Sequence, residues 1–381
     1  MEAMQERKPL AVSLNIPFCK AKCGYCDAAV CVGASAQRMQ DYLNALCAEI
    51  ASIAPDLDEY EVTSLYVTGG TPNILGGRTL RILLDYVRGQ LHVADDCETT
   101  LASSPDNISI TLFEELRRTG LTRLEVEQET FDALQHLSLG KKFSLGALED
   151  SAQVITEGPC KNFDVSLLYG LQGQSAATLK SSIGTCANIG ATHVTFSPLR
   201  LTEGTSVREA YEKQLVDRPS SPRNIYPTPE ERQELYRVGV AALAQAGFVR
   251  YTQRHFARPG FESRRVLDWC AGGEEVGFGV GARSWYGGVA CENTSDMATY
   301  LAHSAEFGKI LASARVVDED AAQRRRLVRG LFALEGVELA GDLPSELEGY
   351  RACGWLEAAD GRARLTLEGG SHYEELQAAL S

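Results

Sequence analysis

The chain has 381 residues, with 51 Asp and Glu against 37 Lys and Arg, a formal charge of -14 and no basic block, which argues against nucleic acid as the main partner. No apolar run approaches the roughly 18 residues that a membrane span needs, and the opening from Met1 to Lys8 lacks the apolar core of a signal peptide, so a cytoplasmic protein without a membrane partner is expected. Eleven cysteines in a reducing compartment do not make a disulfide framework, and six of them lie scattered and singly, as small buried hydrophobes do.

In chain order, residues 10–16 read as a first strand, and Cys19-Lys-Ala-Lys-Cys23-Gly-Tyr25-Cys26 leaves its C-terminal end. Three thiols at this spacing can curl around one metal centre, and Pro17 and Gly24 favour a wrapped loop over a helical stripe. Three protein ligands leave one iron of a cubane cluster open, whereas structural zinc usually takes four. Cys31 is close enough in sequence to be a fourth ligand, which keeps a non-catalytic zinc-binding protein among the alternatives. Residues 34–53 follow as a helix with Met39, Tyr42, Leu43, Leu46 and Ile50 on one stripe.

Further strands are expected at 62–67, 98–103, 123–127, 163–169 and 193–199, with helices at 78–87, 111–119 and 176–189 between them. Six strands alternating with helices predict a parallel α/β sheet whose reactive groups gather at the C-terminal strand ends. The cysteine loop, Gly69-Gly70-Thr71, Glu127-Gln128-Glu129 and residues 170–174 all fall there. A Pro-rich linker at 219–229, a helix at 230–246 and a Gly277-Phe-Gly279-Val-Gly281 run come next, the last at the wrong spacing for a dinucleotide site. Residues 317–381 read as a small helical module ending in a hairpin at 361–367 that suits a wing.

The cysteine spacing with an aromatic before the third thiol resembles the signature of radical S-adenosylmethionine (SAM) enzymes. Residues 16–19, 69–72, 169–174, 198–199, 256–260 and the Gly277 loop resemble the branch containing oxygen-independent coproporphyrinogen III oxidase, its haem-chaperone relatives and class C methyltransferases. The resemblance implies a partial (β/α)6 barrel over residues 1–205, a linker and extension over 206–316 that completes the active site, and a winged-helix-like module over 317–381. It implies a [4Fe-4S] cluster on Cys19, Cys23 and Cys26, with Tyr25, Gly69, Gly70, Thr71, Ser103, Glu129, Lys141 and Ser166 around SAM. Glu129 stands where the family usually has a glutamine facing the ribose, and Lys141 where it has an arginine for the methionine carboxylate. An external electron donor of flavodoxin or ferredoxin type is also implied.

Departures from the family pattern point to the substrate. Ser13, Asn15, Ala102 and Ser166 replace residues that the branch usually carries, and Arg264-Arg265 stand where haem-handling relatives have His-Asn. With that histidine gone and Glu125, Glu127 and Glu129 lining the strand end, haem and coproporphyrinogen become less suitable than a small heteroaromatic ring, free or in a modified peptide. The expectation is therefore a class C methyltransferase using two SAM molecules, with Glu127 or Glu129 as the base; a coproporphyrinogen oxidase-like enzyme or haem chaperone is the alternative.

Overall fold

A computed structural model describes residues 7–160, 162–217 and 219–380, so the opening segment Met1 to Glu6, with most of the stretch weighed as a signal peptide, lies outside the described residues. Strand β1 (Lys8–Ile16) buries Leu10, Val12, Leu14 and Ile16 on one face and turns Ala11, Ser13 and Asn15 to the other, the period of two that a strand imposes. Helix α1 (Ala36–Ile53) starts where the Ser35 side chain accepts from the Arg38 N–H, and it lays Tyr42, Leu46 and Ile50 on the sheet.

The unit repeats through β2 (Tyr60–Gly69), α2 (Gly77–Gln90), β3 (Val93–Ser103), α3 (Ile110–Leu116) and β4 (Leu121–Glu129). Helices α4 (Ala133–Ser138) and α5 (Ala147–Glu157) lead to β5 (Asn162–Tyr169), and α6 (Ala176–Asn188), held by a Ser175–Thr178 capping box, leads to β6 (His193–Pro198). Strands β1 to β6 pair in sequence order and in parallel, the parallel sheet expected from the alternation and the partial (β/α)6 barrel that the resemblance implies.

The sheet continues on both sides. Beyond β6 lie β7 (His255–Ala257), antiparallel, and the short strand Val249–Arg250. Beyond β1 lies β8 (Glu274–Phe278), a seventh parallel strand, followed by antiparallel β9 (Arg283–Tyr286), β10 (Val289–Asn293) and β11 (Leu311–Val316). The Gly277–Gly281 run thus ends a strand and enters a turn to an antiparallel partner, and no helix N-terminus follows it to receive a phosphate. Helix α7 (Ser206–Val216) and α8 (Pro229–Gln245), with a Thr228–Glu231 capping box, frame the Pro-rich segment.

Past α9 (Arg264–Cys270) and α10 (Glu319–Phe332), the chain ends in a second apolar cluster of Leu331, Leu347, Leu356, Tyr373 and Leu376, which also takes in Val266 and Cys270 of α9. The hairpin expected at the end is instead internal, formed by Leu356–Ala359 and Arg362–Leu365 with Val337–Glu338 alongside. Thr366 caps a helix at Leu367–Ser371, so Gly369 and Gly370 are helical and pack tightly on Trp355 and Tyr236 rather than closing a wing.

One buried carboxylate ties α1 to the added strands. Glu49 accepts from the Gly279 N–H at 2.8 Å, the Asn293 amide at 2.6 Å and the Tyr300 hydroxyl at 2.5 Å. Burial outweighs those three donors and pushes its pKa from the usual 4.5 up to about 7. The folded chain therefore holds this proton where the unfolded chain has lost it, and the stability so gained is present below about pH 4.5 and lost as pH rises through 7. Glu49→Gln should flatten the fall in unfolding free energy between pH 5 and 7.5, by on the order of 2 kcal/mol, in urea titrations of both proteins.

Candidate cluster and SAM site

The cysteine loop is built on two backbone anchors. Phe18–Cys19 pairs in parallel with Cys31–Val32, and the Gly70 and Thr71 N–H groups donate to Ile16 O and Phe18 O, both at 2.7 Å. At the far end the Gly24 N–H donates to Leu139 O at 2.8 Å, and Gly24 O accepts from the Val207 N–H at 3.0 Å. The three thiols share one cavity with Gly69, Gly70, Thr71, Glu127 and Lys141. Gly70 has no room for a side chain, since a Cβ there would lie 2.8 Å from the Cys19 sulfur and 2.6 Å from Phe18 O. Gly69 needs its freedom too, at φ 113° with the Asn15 side chain against it.

Burial pushes the Cys19 thiol pKa up and that of Cys23 to about 11, so a metal that binds them must displace protons. Among the described residues no three Cys, His, Asp or Glu side chains converge on a single ion. A cubane cluster takes each thiolate on a separate iron, which suits a trio spread around a loop. Cys31, weighed as a fourth ligand, sits in the short strand paired with Phe18–Cys19 and does not line the cavity.

The end of β4 supplies the charged wall. A bulge between Glu127 and Glu129 shifts the register against β5, and Glu129 sits at φ 64°, a backbone region that non-glycine residues rarely occupy. Glu129 Oε1 accepts from the Tyr25 hydroxyl at 2.5 Å, and its Oε2 lies 2.6 Å from Lys141 Nζ. The Lys141 side chain is 4% exposed and lies over the rings of Tyr25 and Phe143. Burial alone would lower its pKa, but Glu129, Cys23 and Glu127 hold it up, so it is a cation. Burial, with Glu129 and Glu125 nearby, raises Glu127 to about 8 against the pull of Lys141.

The structure thus gathers Cys19, Cys23, Cys26, Tyr25, Gly69, Gly70, Thr71, Glu127, Glu129 and Lys141 at one strand-end site. Ser166 pairs in register with Glu127 and faces the sheet interior below them. Ser103 falls in register with Val126, on the helix-facing side, and Ser104 lines the cavity in its place with Asp106. Asp106 holds Lys20 of the cysteine loop at 2.7 Å, a pair the sequence gave no reason to single out. Deeper in the sheet, Asp164 pairs with His193 at 2.7 Å, and Arg265 lies 4.2 Å over the Tyr66 ring beside Glu125.

No family model matches the chain. It is 31% identical over 299 residues to the heme chaperone HemW of Mycobacterium tuberculosis, covering 77% of this chain and 74% of that one. Against the heme chaperone HemW of Bacillus subtilis the identity is 25% over 368 residues, 93% and 95% of the two chains. The solved structure of coproporphyrinogen III oxidase (HemN) from Escherichia coli, a radical SAM enzyme, superposes with a TM-score of 0.78 at 20% identity, covering 98% of this chain and 90% of that one. The HemW relatives, together with a parallel barrel whose first strand is left by three cysteines, place the chain in the radical SAM superfamily, a class that implies a [4Fe-4S] cluster and SAM. Within that class the chain belongs to the HemW family, in the HemN/HemW branch.

This family membership overturns the expected methyltransferase and its heteroaromatic or peptide substrate. The expectation rested on departures whose structural context gives them other roles. Arg264 reaches outward to Asp96 at 3.0 Å and Arg265 inward to Tyr66, so both are held by the fold. The acidic strand end is largely neutralised internally, Glu129 by Lys141 and Glu125 by the neighbouring Arg265, and does not repel an acidic ligand as three free carboxylates would. Cys270 of α9 is buried with its thiol pushed up to about 12, which disfavours it as a haem ligand.

Gly70→Ala places a methyl group against the Cys19 sulfur. Anaerobic reconstitution of this variant should yield less than about a fifth of the wild-type iron and sulfide, while its circular dichroism matches wild type within a few per cent. Full iron loading in the variant would show that the loop can retreat from residue 70.

Proposed function

We propose that this protein is a radical SAM haem chaperone: it holds a [4Fe-4S] cluster on Cys19, Cys23 and Cys26, binds one SAM beside it and carries haem as its cargo. The observation that carries this is the 31% identity to the Mycobacterium tuberculosis heme chaperone HemW across three quarters of both chains. The convergence of the trio, the Gly69-Gly70 backbone and Lys141 on one cavity supports the cofactor part. When bound, the cluster and SAM supply one-electron reductive chemistry.

The remaining roles belong to the chain's own side chains. Gly69 and Gly70 let backbone approach the cavity, Thr71 places its hydroxyl 3.6 Å from the Cys19 sulfur, and Tyr25 closes the wall beside Glu129. Glu127, protonated up to about pH 8, offers a hydrogen-bond donor into the cavity that an ordinary glutamate would lack. Residues 1–205 form the cofactor unit, residues 206–316 complete it, and residues 317–381 brace α9, which is consistent with the apolar cluster shared by α9 and the terminal helices.

Reconstitution should give about four irons and four sulfides per chain, lost in each of Cys19→Ala, Cys23→Ala and Cys26→Ala and kept in Cys31→Ala. Titration of the wild-type protein with haem should shift and sharpen the Soret band to a stoichiometric end point. Turnover of coproporphyrinogen without haem binding would instead place the protein with the decarboxylating enzymes.

A further inference from the structure

Lys141 is the buried cation of the cysteine cavity. The other lysines on its wall, Lys20, Lys22 and Lys142, are exposed, and Lys20 is engaged by Asp106. A ligand carboxylate that enters this cavity out of water therefore has one desolvated positive charge to meet, and Glu129 already holds it, 2.6 Å away, with both side chains under 5% exposed.

The way the pair is held matters. Glu129 Oε1 is fixed by the Tyr25 hydroxyl, while Oε2 faces Lys141 as its ion-pair partner. Lys141 has further contacts in the Tyr25 and Phe143 rings and in Glu127 O at 3.5 Å, so Glu129 is not its sole support. The strained backbone at Glu129 keeps its carboxylate turned to this spot. An ammonium cation fixed by rings and a carbonyl, with one exchangeable anion on it, is a competition site.

We propose that Glu129 acts as a built-in competitor for SAM, occupying on Lys141 the place that the SAM carboxylate takes when it binds. This rests on the reading that SAM enters the cysteine cavity. SAM pays for its carboxylate contact by displacing Glu129, so the pair sets the affinity of the cavity for SAM and keeps Lys141 neutralised in its absence.

The test is the dissociation constant of radiolabelled SAM on the reconstituted protein, by anaerobic equilibrium dialysis, set beside the thermal midpoint of the cluster-free chain. Glu129→Gln should tighten SAM by roughly tenfold while lowering the midpoint, two effects of opposite sign that a merely structural pair does not give. In Glu129→Gln with Lys141→Met the gain should vanish, and Lys141→Met alone should bind SAM more weakly than wild type. If Glu129→Gln fails to fold, Glu129→Asp, which withdraws the carboxylate by one methylene, should also tighten SAM. Weaker or unchanged SAM binding in these Glu129 variants, with wild-type binding intact, overturns the competitor role alone. Absence of SAM binding in wild type and variants together overturns the underlying reading as well.

Discussion

The site depends on one close approach. Cys19 can lie where it does because residue 70, at the end of the neighbouring strand, has no side chain, and because the N–H groups of Gly70 and Thr71 bind the backbone on either side of the cysteine strand's start. Two strand-end loops that would otherwise move independently are thereby zipped into one wall. The second anchor, Gly24 between Leu139 and Val207, joins the same loop to the segment after β4 and to the start of α7. The loop is a bridge between three parts of the barrel rim, so metal binding at its thiols is coupled to the geometry of all three.

Beneath this rim the concave face of the sheet is polar to an unusual depth. Arg123 with Glu98, His193 with Asp164, and Arg265 over Tyr66 occupy positions that a barrel interior more often fills with branched apolar residues. Glu98 accepts from the Ser263 hydroxyl and from the N–H groups of Arg264 and Arg265, so it fastens the N-terminus of α9 across the sheet. The terminal module reaches the same helix from outside through Val266 and Cys270. Helix α9 is thus clamped by charge on one side and by apolar packing on the other, and the substitutions it carries are read by the interior network before any ligand meets them.

Much of the fold was legible because its signals are local. The alternation at residues 10–16, the apolar runs of the next five strands and the helix-length gaps between them determine a parallel sheet, and the structure moves their ends by only a few residues, save the early start of β3 at Val93. The cysteine spacing and the Gly69-Gly70 pair identify chemistry from residue type alone. What could not be read locally is who neutralises whom. Glu129 and Lys141 are twelve residues apart and meet only because a bulge turns the strand end, and Glu125 lies beside Arg265 of α9, far along the chain.

The misjudged substrate follows from the same blind spot. Three glutamates on one strand look like a negative surface when counted along the chain, and an arginine where relatives have a histidine looks like a deleted ligand. In three dimensions each charge has its own partner: Arg264, which stands at the histidine position, pairs with Asp96, Arg265 lies beside Glu125, and Lys141 meets Glu129. Charges that pair with one another leave the net field of a cavity nearly unchanged while altering which contacts a ligand must break to enter it. Such pairs alter the affinity of a site and carry little information about a change of substrate.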